Sequence, residues 1–553
     1  MMKKVIKKLL AALLAVAMVC AMAVPAFADN TENIRDHHSF EAFQIFKGDV
    51  TGNDINDFKI SKVKWGKNIT NPTDFLKELM QAPIIGAQFQ SIDATDATNA
   101  ATAQDVLAVI SKWSTSDDDS IAFARFVCHY LYSGAVDQGD SIPSGGDVVH
   151  IPINEAGYYL IVDTTDFSTG DSYHACNSFL LNVTKAPYDL PIKPKAEKPT
   201  VEKEVHDNDN NDISSAGNND GWGSSADHAI NEKFQFRLIA KLPKSSDRAY
   251  DYYHEYAVLF NDTLSDGITY DKDDNLDSVV IESNGKTYDI TDESSKYKVD
   301  DSHLKNDNSF VVSIPDVKTC VEDPEFNLNN GATITVTYTA HLNETAYVNT
   351  ASSDTKNNNS VYLQYSNNPK DESSIGKTPE SKVCVYTYQL NNTKLAESEY
   401  GVPLKGAGFR LYSDKACAEE QEVKLYKKDN FYYPIKDATD KAQDAVEMFS
   451  DEHGQFNVKG LDAGTYYLRE TKTPDDYSAC PDKEIVISAT HDVNHVSLSG
   501  ESNLNNKIIN IKAGGITLPS TGGIGTTIFY VVGGGLMVAA IVLLVTKKRM
   551  ENK

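Results

Sequence analysis

The sequence predicts a mainly β protein. It reads as tandem immunoglobulin-like sandwiches, preceded by an N-terminal β-rich domain with short helices and set between a signal peptide and a C-terminal transmembrane anchor. Three observations predict this. Phe234-Gln235-Phe236-Arg237-Leu238 and Thr333-Ile334-Thr335-Val336-Thr337-Tyr338 alternate apolar and polar residues with the period of a half-buried strand. The chain has 28 Tyr, many Asn, Asp, Thr and Val, and few long helical patterns, which is the usage of an extracellular β protein. Long apolar segments occur at both ends, each flanked by lysines.

The first of these segments is a secretory signal. Lys3, Lys4, Lys7 and Lys8 precede an apolar run from Leu9 to Val24, and Ala26-Phe27-Ala28 supplies the small-x-small cleavage pattern. The second follows Leu518-Pro519-Ser520-Thr521-Gly522. It runs from Ile524 to Val545 and ends on Lys547, Lys548 and Arg549. That length spans a bilayer and the basic tail stays inside. Motif, apolar span and basic tail in this order have the form of a cell-wall sorting signal. Pro519 keeps the motif out of helix, and Gly522 leaves room beside the scissile bond. A sortase cysteine attacking the Thr521 carbonyl would form an acyl-enzyme that an amine resolves. A wall peptide as that amine anchors the chain, and a lysine of another subunit extends a polymer. In both cases the chain is a substrate and not the enzyme.

Between the ends, length suggests three or four domains. The net charge of −27 disfavours nucleic acid and anionic membranes as partners. The first region contains a helical pattern beginning at Thr102 and running through Val106, Val109, Ile110 and Trp113, then a second from Asp119 through Ile121, Phe123, Phe126 and Leu131. Pro191-Ile192-Lys193-Pro194-Lys195-Ala196-Glu197-Lys198-Pro199 reads as a stiff linker. A middle region starts at Val201-Glu202-Lys203. A third begins with Val383-Cys384-Val385-Tyr386 and ends with Ile508-Ile509-Asn510. Strand-and-turn spacing makes both sandwiches. The expected division is a signal peptide at 1–28, an N-terminal domain at 29–190, a linker at 191–199, a middle domain at 200–370 and a C-terminal domain at 380–512. A motif linker at 513–523, a transmembrane segment at 524–546 and a cytoplasmic tail at 547–553 complete it.

Cys417 and Cys480 fall in one predicted domain, and Cys128 and Cys176 in another. Secretion permits a disulfide within each pair, with buried free thiols as the alternative. No Cys-x-x-Cys or His-Glu-x-x-His pattern occurs, so no metal or cofactor is expected. Asp271-x-Asp273-x-Asn275 with Glu282 has calcium-loop spacing, but Leu276 stands where the loop needs glycine, and an acidic turn is the better reading. His453 and His495 read as surface groups. No acid pair or triad for work on an external substrate is visible.

The third region contains Tyr467-Leu468-Arg469-Glu470-Thr471-x-x-Pro474-x-x-Tyr477, with Gly406-Ala407-x-Phe409-x-Leu411 upstream. On these residues it resembles a collagen-adhesin B-type domain. With Phe260-Asn261-Asp262-Thr263-Leu264 in the middle region and Ala42-Phe43-Gln44-Ile45-Phe46-Lys47-Gly48 in the first, the chain resembles the backbone subunits of Gram-positive sortase-assembled pili over essentially its full length. The resemblance implies spontaneous Lys–Asn isopeptide bonds. For the third region it points to Lys394, Asn510 and the acid Glu470. For the middle region it points to Lys203 and Asp262 with Asn359, or alternatively Asn367. It also implies a polymerisation lysine in a Pro-Lys motif, here Lys195 or alternatively Lys193, although the usual Tyr-Pro-Lys-Asn form is absent. The implied partners are a pilus-type (class C) sortase, identical subunits in a covalent polymer, accessory pilins, peptidoglycan and a host surface. A singly wall-anchored adhesin, or a basal or tip pilin, is the competing reading.

Overall fold

The computed structural model describes residues 40–513, except for 52–58, 115–116, 134–139, 143–148, 164–178, 184–187, 193–197, 209–219, 246–247, 272–275, 355–356 and 439–443. The expected signal peptide, sorting motif, transmembrane segment and tail lie outside the described residues.

In the first region, alternation builds a five-stranded sheet in which Phe40–Thr51 lies between Lys59–Trp65 and Gly157–Asp163. Helices Pro72–Leu79, Ala100–Ile110 and Asp118–Ser133 bury Phe75, Val106, Phe123 and Val127 in the same core. The middle helix starts earlier than its pattern suggests. The Asn99 side chain caps it by accepting the Thr102 N–H at 3.0 Å, because an Asn outside the first turn satisfies a donor that Thr102, already inside, must give away. Helix Asp118–Ser133 is tied to the middle region through the Arg248–Asp118 ion pair and through Arg125, which donates to the Asp251 carbonyl at 3.2 Å.

The middle region is a sandwich of two seven-stranded sheets. One carries Thr200–His206 beside Lys233–Leu242 and Ala332–Leu342. The other carries Val258–Leu264 between Ser309–Ile314 and Asn358–Ser366. Their inward positions strictly alternate: Phe234, Phe236, Leu238 and Ala240 face Val258, Phe260 and Leu264 across one core.

The boundary to the third region differs from the sequence expectation. Strand Ser381–Tyr386, read above as the start of the C-terminal domain, pairs with Asn358–Ser366 and completes the middle sandwich. Its two faces belong to different cores. Val383 and Val385 pack with the middle domain, while Cys384 and Tyr386 pack with the C-terminal one. A strand buried on both sides loses the polar half of its alternation, so its sequence does not say which neighbour it serves. Ile230 extends the same junction by donating its N–H to the Gly460 carbonyl at 2.9 Å.

The C-terminal domain opposes a five-stranded sheet, with Tyr388–Ala396 between Asn457–Leu461 and Asn505–Asn510, to a four-stranded sheet containing Gly408–Tyr412 and Gly464–Lys472. Its first strand, Tyr388–Ala396, and its last, Asn505–Asn510, run parallel and adjacent.

Candidate functional site: two buried lysine–acid–asparagine clusters

Among the described residues, two lysines are buried, Lys203 and Lys394. Each occupies an inward position of an alternating strand. Lys203 precedes buried Val205 by two residues, and Lys394 follows buried Leu390 and Asn392. An ammonium removed from water needs a partner or loses its proton. Both lysines meet an acid and a carboxamide.

In the C-terminal domain the parallel register sets Lys394 opposite Ile508 and Asn510 opposite Ala396. Lysine and asparagine therefore stand on one face, two positions apart. Lys394 Nζ donates to Asn510 Oδ1. The facing sheet supplies the acid: Glu470 is paired with Phe409, and its Oε1 lies 3.3 Å from Lys394 Nζ and accepts from Asn510 Nδ2 at 2.8 Å. Its other oxygen accepts the Cys480 N–H at 2.9 Å, which fixes the carboxyl plane. The side chains of Lys394 and Glu470 have no solvent exposure. Phe409, stacked on Phe456 at 4.2 Å, floors the site 5.4 Å from Nζ. Gly454, at φ +72°, lies against the Lys394 backbone, where a Cβ would fall 2.4 Å from the Lys394 carbonyl oxygen.

The middle cluster spans its sandwich in the same way. Lys203 pairs with Leu238 in one sheet. In the other, Asp262 stands opposite Val361 and Asn359 opposite Leu264, so acid and carboxamide share a face. Lys203 Nζ donates to Asp262 Oδ2 and, at 3.1 Å, to the Tyr338 hydroxyl. Asn359 Nδ2 donates to the same hydroxyl at 2.6 Å. Burial brings the Lys203 ammonium down to about 8, against the opposing pull of Asp262. Burial likewise pushes the Asp262 carboxyl up. Both shifts favour a neutral amine beside a protonated acid.

The alternative Asn367 is not in the cluster. It lies beyond the end of its strand, where its Oδ1 accepts from Ser374 at 2.8 Å. We predict that Asn359→Ala abolishes a Lys203-containing branched peptide in digests of the denatured chain, whereas Asn367→Ala retains it. A branch surviving in Asn359→Ala reverses the assignment.

Cys417 and Cys480 do not pair. Cys417 Sγ lies 3.9 Å from Asp482, and Cys480 Sγ lies 3.6 Å from Lys394 Nζ, so two different neighbourhoods hold the thiols. Cys128 is buried in helix Asp118–Ser133, while Cys176 lies outside the described residues. So do Lys193 and Lys195. His453 and His495 are exposed as expected, and Asp271 is engaged by His341 Nδ1 at 2.8 Å. The sequence reading missed Tyr338 and His491, and it took Cys480 as a disulfide candidate and not as a neighbour of Lys394 and Glu470. His491 is fully buried at the domain junction, with its Nδ1 2.8 Å from Ser225 Oγ.

Residues 510–552 match the family described as the LPXTG cell wall anchor motif. The chain is an LPXTG-type cell-wall-anchored surface protein. Residues 389–502 of this LPXTG protein match the prealbumin-like fold domain named SpaA, which covers the Lys394 and Glu470 strands. A comparison with curated proteins gives no match. Among solved structures, the T6 backbone pilin of serotype M6 Streptococcus pyogenes aligns at 16% identity over 88% of this chain and 100% of that one, with a TM-score of 0.47. The group B streptococcus pilus 2b backbone protein aligns at 20% identity over 52% and 95%, with a TM-score of 0.37. The major pilin SpaD of Corynebacterium diphtheriae aligns at 19% identity over 65% and 80%, with a TM-score of 0.36.

Proposed function

We propose that this LPXTG protein is a structural backbone pilin, joined head to tail by a sortase through Thr521 and a lysine of the next subunit, Lys195 or Lys193. Each subunit is stapled internally by Lys394–Asn510 and Lys203–Asn359 amides. The reading is carried by the two buried clusters, each of which couples the first strand of a sandwich to a strand much later in the chain: the last strand in the C-terminal domain, and Asn358–Ser366 in the middle one. Lys394 attacks the Asn510 carbonyl carbon, Glu470 relays the proton and ammonia leaves. Folding supplies the proximity, which is worth about 7–11 kcal/mol of barrier for well-oriented groups. The chain acts on no external substrate.

The position of the C-terminal staple suits a tensile role. Load entering before Tyr388 and leaving after Asn510 would shear the ladder between the parallel first and last strands. A covalent amide across that ladder takes the load in place of the hydrogen bonds.

The test is the polymer. Extracts of cells making the protein, boiled in detergent, should show a high-molecular-weight ladder that disappears in Lys195→Ala, or in the Lys193→Ala/Lys195→Ala double variant. A ladder persisting in the double variant rejects the junction lysines. No ladder in the parent strain rejects the backbone role in favour of a singly anchored adhesin.

A further inference from the structure

The two clusters place their acids differently. In the C-terminal domain one oxygen, Glu470 Oε1, touches both Lys394 Nζ and the leaving nitrogen of Asn510. In the middle domain the acid is one methylene shorter. Asp262 reaches Lys203, and no hydrogen bond joins it to Asn359 among the described residues. The gap is filled by Tyr338. Its hydroxyl accepts from Asn359 Nδ2 at 2.6 Å and from Lys203 Nζ at 3.1 Å, and donates to Asp262 Oδ1 at 3.2 Å. That oxygen is therefore in contact with the nucleophile, the leaving group and the acid together.

We propose that Tyr338 is a catalytic residue of the middle domain, carrying the acid's proton to the ammonia that leaves Asn359. The proposal rests on the isopeptide reading above. Neutral Lys203 Nζ bonds to the Asn359 carboxamide carbon and gives one proton to Asp262. Asp262 passes a proton to the Tyr338 oxygen, and Tyr338 passes its hydroxyl proton to Nδ2. The carbon–Nδ2 bond breaks, ammonia departs, and Asp262 and Tyr338 end in their starting states.

Three further features fit this role. Tyr338 is fully buried, and burial together with Asp262 holds its hydroxyl protonated, so it can relay a proton without resting as a phenolate. Its ring is held edge-on against the stacked pair of Tyr270 and Phe310, at 5.3 and 5.0 Å, which leaves the hydroxyl little freedom to swing away. Asn359 Oδ1 accepts no hydrogen bond among the described residues, so the contact with Tyr338 is what orients the carboxamide.

The experiment uses the full chain, pulse-labelled and chased, with the Lys203–Asn359 and Lys394–Asn510 branched peptides quantified in each digest. Tyr338→Phe should slow the first link about 100-fold, the lower range for a positioned general acid, and leave the second unchanged. Site-specific 3-fluorotyrosine at 338, which lowers the phenol's proton affinity and keeps its shape, should change the rate and the solvent isotope effect of the first link alone. A wild-type rate and isotope effect with 3-fluorotyrosine overturns the proposal even where Tyr338→Phe misfolds. A parent chain without the Lys203–Asn359 branch overturns the isopeptide reading itself, a distinguishable result.

Discussion

Replacing Glu470 with Ala or Gln is expected to leave Lys394 and Asn510 unlinked in an otherwise folded domain. The intact mass of the processed chain should then rise by about 17 Da relative to the parent, the mass of one retained ammonia. Glu470→Gln is the sharper variant. It preserves shape and can still accept the Cys480 N–H, but it has no carboxyl proton to relay. Stability should fall as well. The lost link closes a loop whose ends are 116 residues apart. By analogy with disulfides, closing a loop of that size is worth about 4–5 kcal/mol in the chain-entropy treatment. Two costs appear at once in Glu470→Ala: the open loop, and a buried amine without its acid. A parent mass equal to the sequence mass with no ammonia lost, or a Glu470→Gln mass that still shows both losses, would remove the acid from the mechanism.

The second large effect is in pH. Lys203 and Asp262 are a coupled pair that must share one proton for the reaction, with the amine free and the acid loaded. Below the raised value of Asp262 the pair holds two protons and the amine is blocked. Above about 8, where burial sets the Lys203 ammonium, the last proton leaves and Asp262 has nothing to give. The formation rate of the Lys203–Asn359 link should therefore be bell-shaped, with its alkaline limb falling about tenfold per unit above pH ~8. The sign is specific. If deprotonation of the lysine were all that mattered, the rate would climb through pH 8 and flatten. Pulse-chase of the newly made chain across pH 5–10, scored by the branched peptide, separates the two shapes. A rate that plateaus above pH 8 shows that no acid takes part.

Much of this was legible in the residues themselves. The alternation at Val258, Phe260, Asp262 and Leu264, and at Val201, Lys203 and Val205, places an acid and a lysine on apolar faces, and such charges stand out against their neighbours. Tyr338 does not stand out. It follows Ile334 and Val336 at the inward positions of its strand, where a tyrosine reads as ordinary core, and nothing local marks its hydroxyl as a junction of three polar groups. The choice between Asn359 and Asn367 was equally hidden. Both are fully buried asparagines in or beside one strand, and they are separated only by what the opposite sheet presents to them. The domain boundary at Ser381–Tyr386 failed for a related reason: a strand with two cores has no polar face to count.

What the sequence alone determined is the chemistry carried along the chain: strands by their period of two, a sorting motif ahead of an apolar span, and lysines, acids and asparagines in strand positions where charge is costly. What only the tertiary structure decided is which of these meet. Lys394 and Asn510 become neighbours because their strands pair in parallel, Glu470 joins them from the facing sheet, and Asp262 reaches its asparagine through Tyr338. Side-chain period is a local property of one strand. Register and sheet-to-sheet apposition depend on the packing of all the strands together, so the distances that make an amine and a carboxamide reactive exist only once the sandwich has closed.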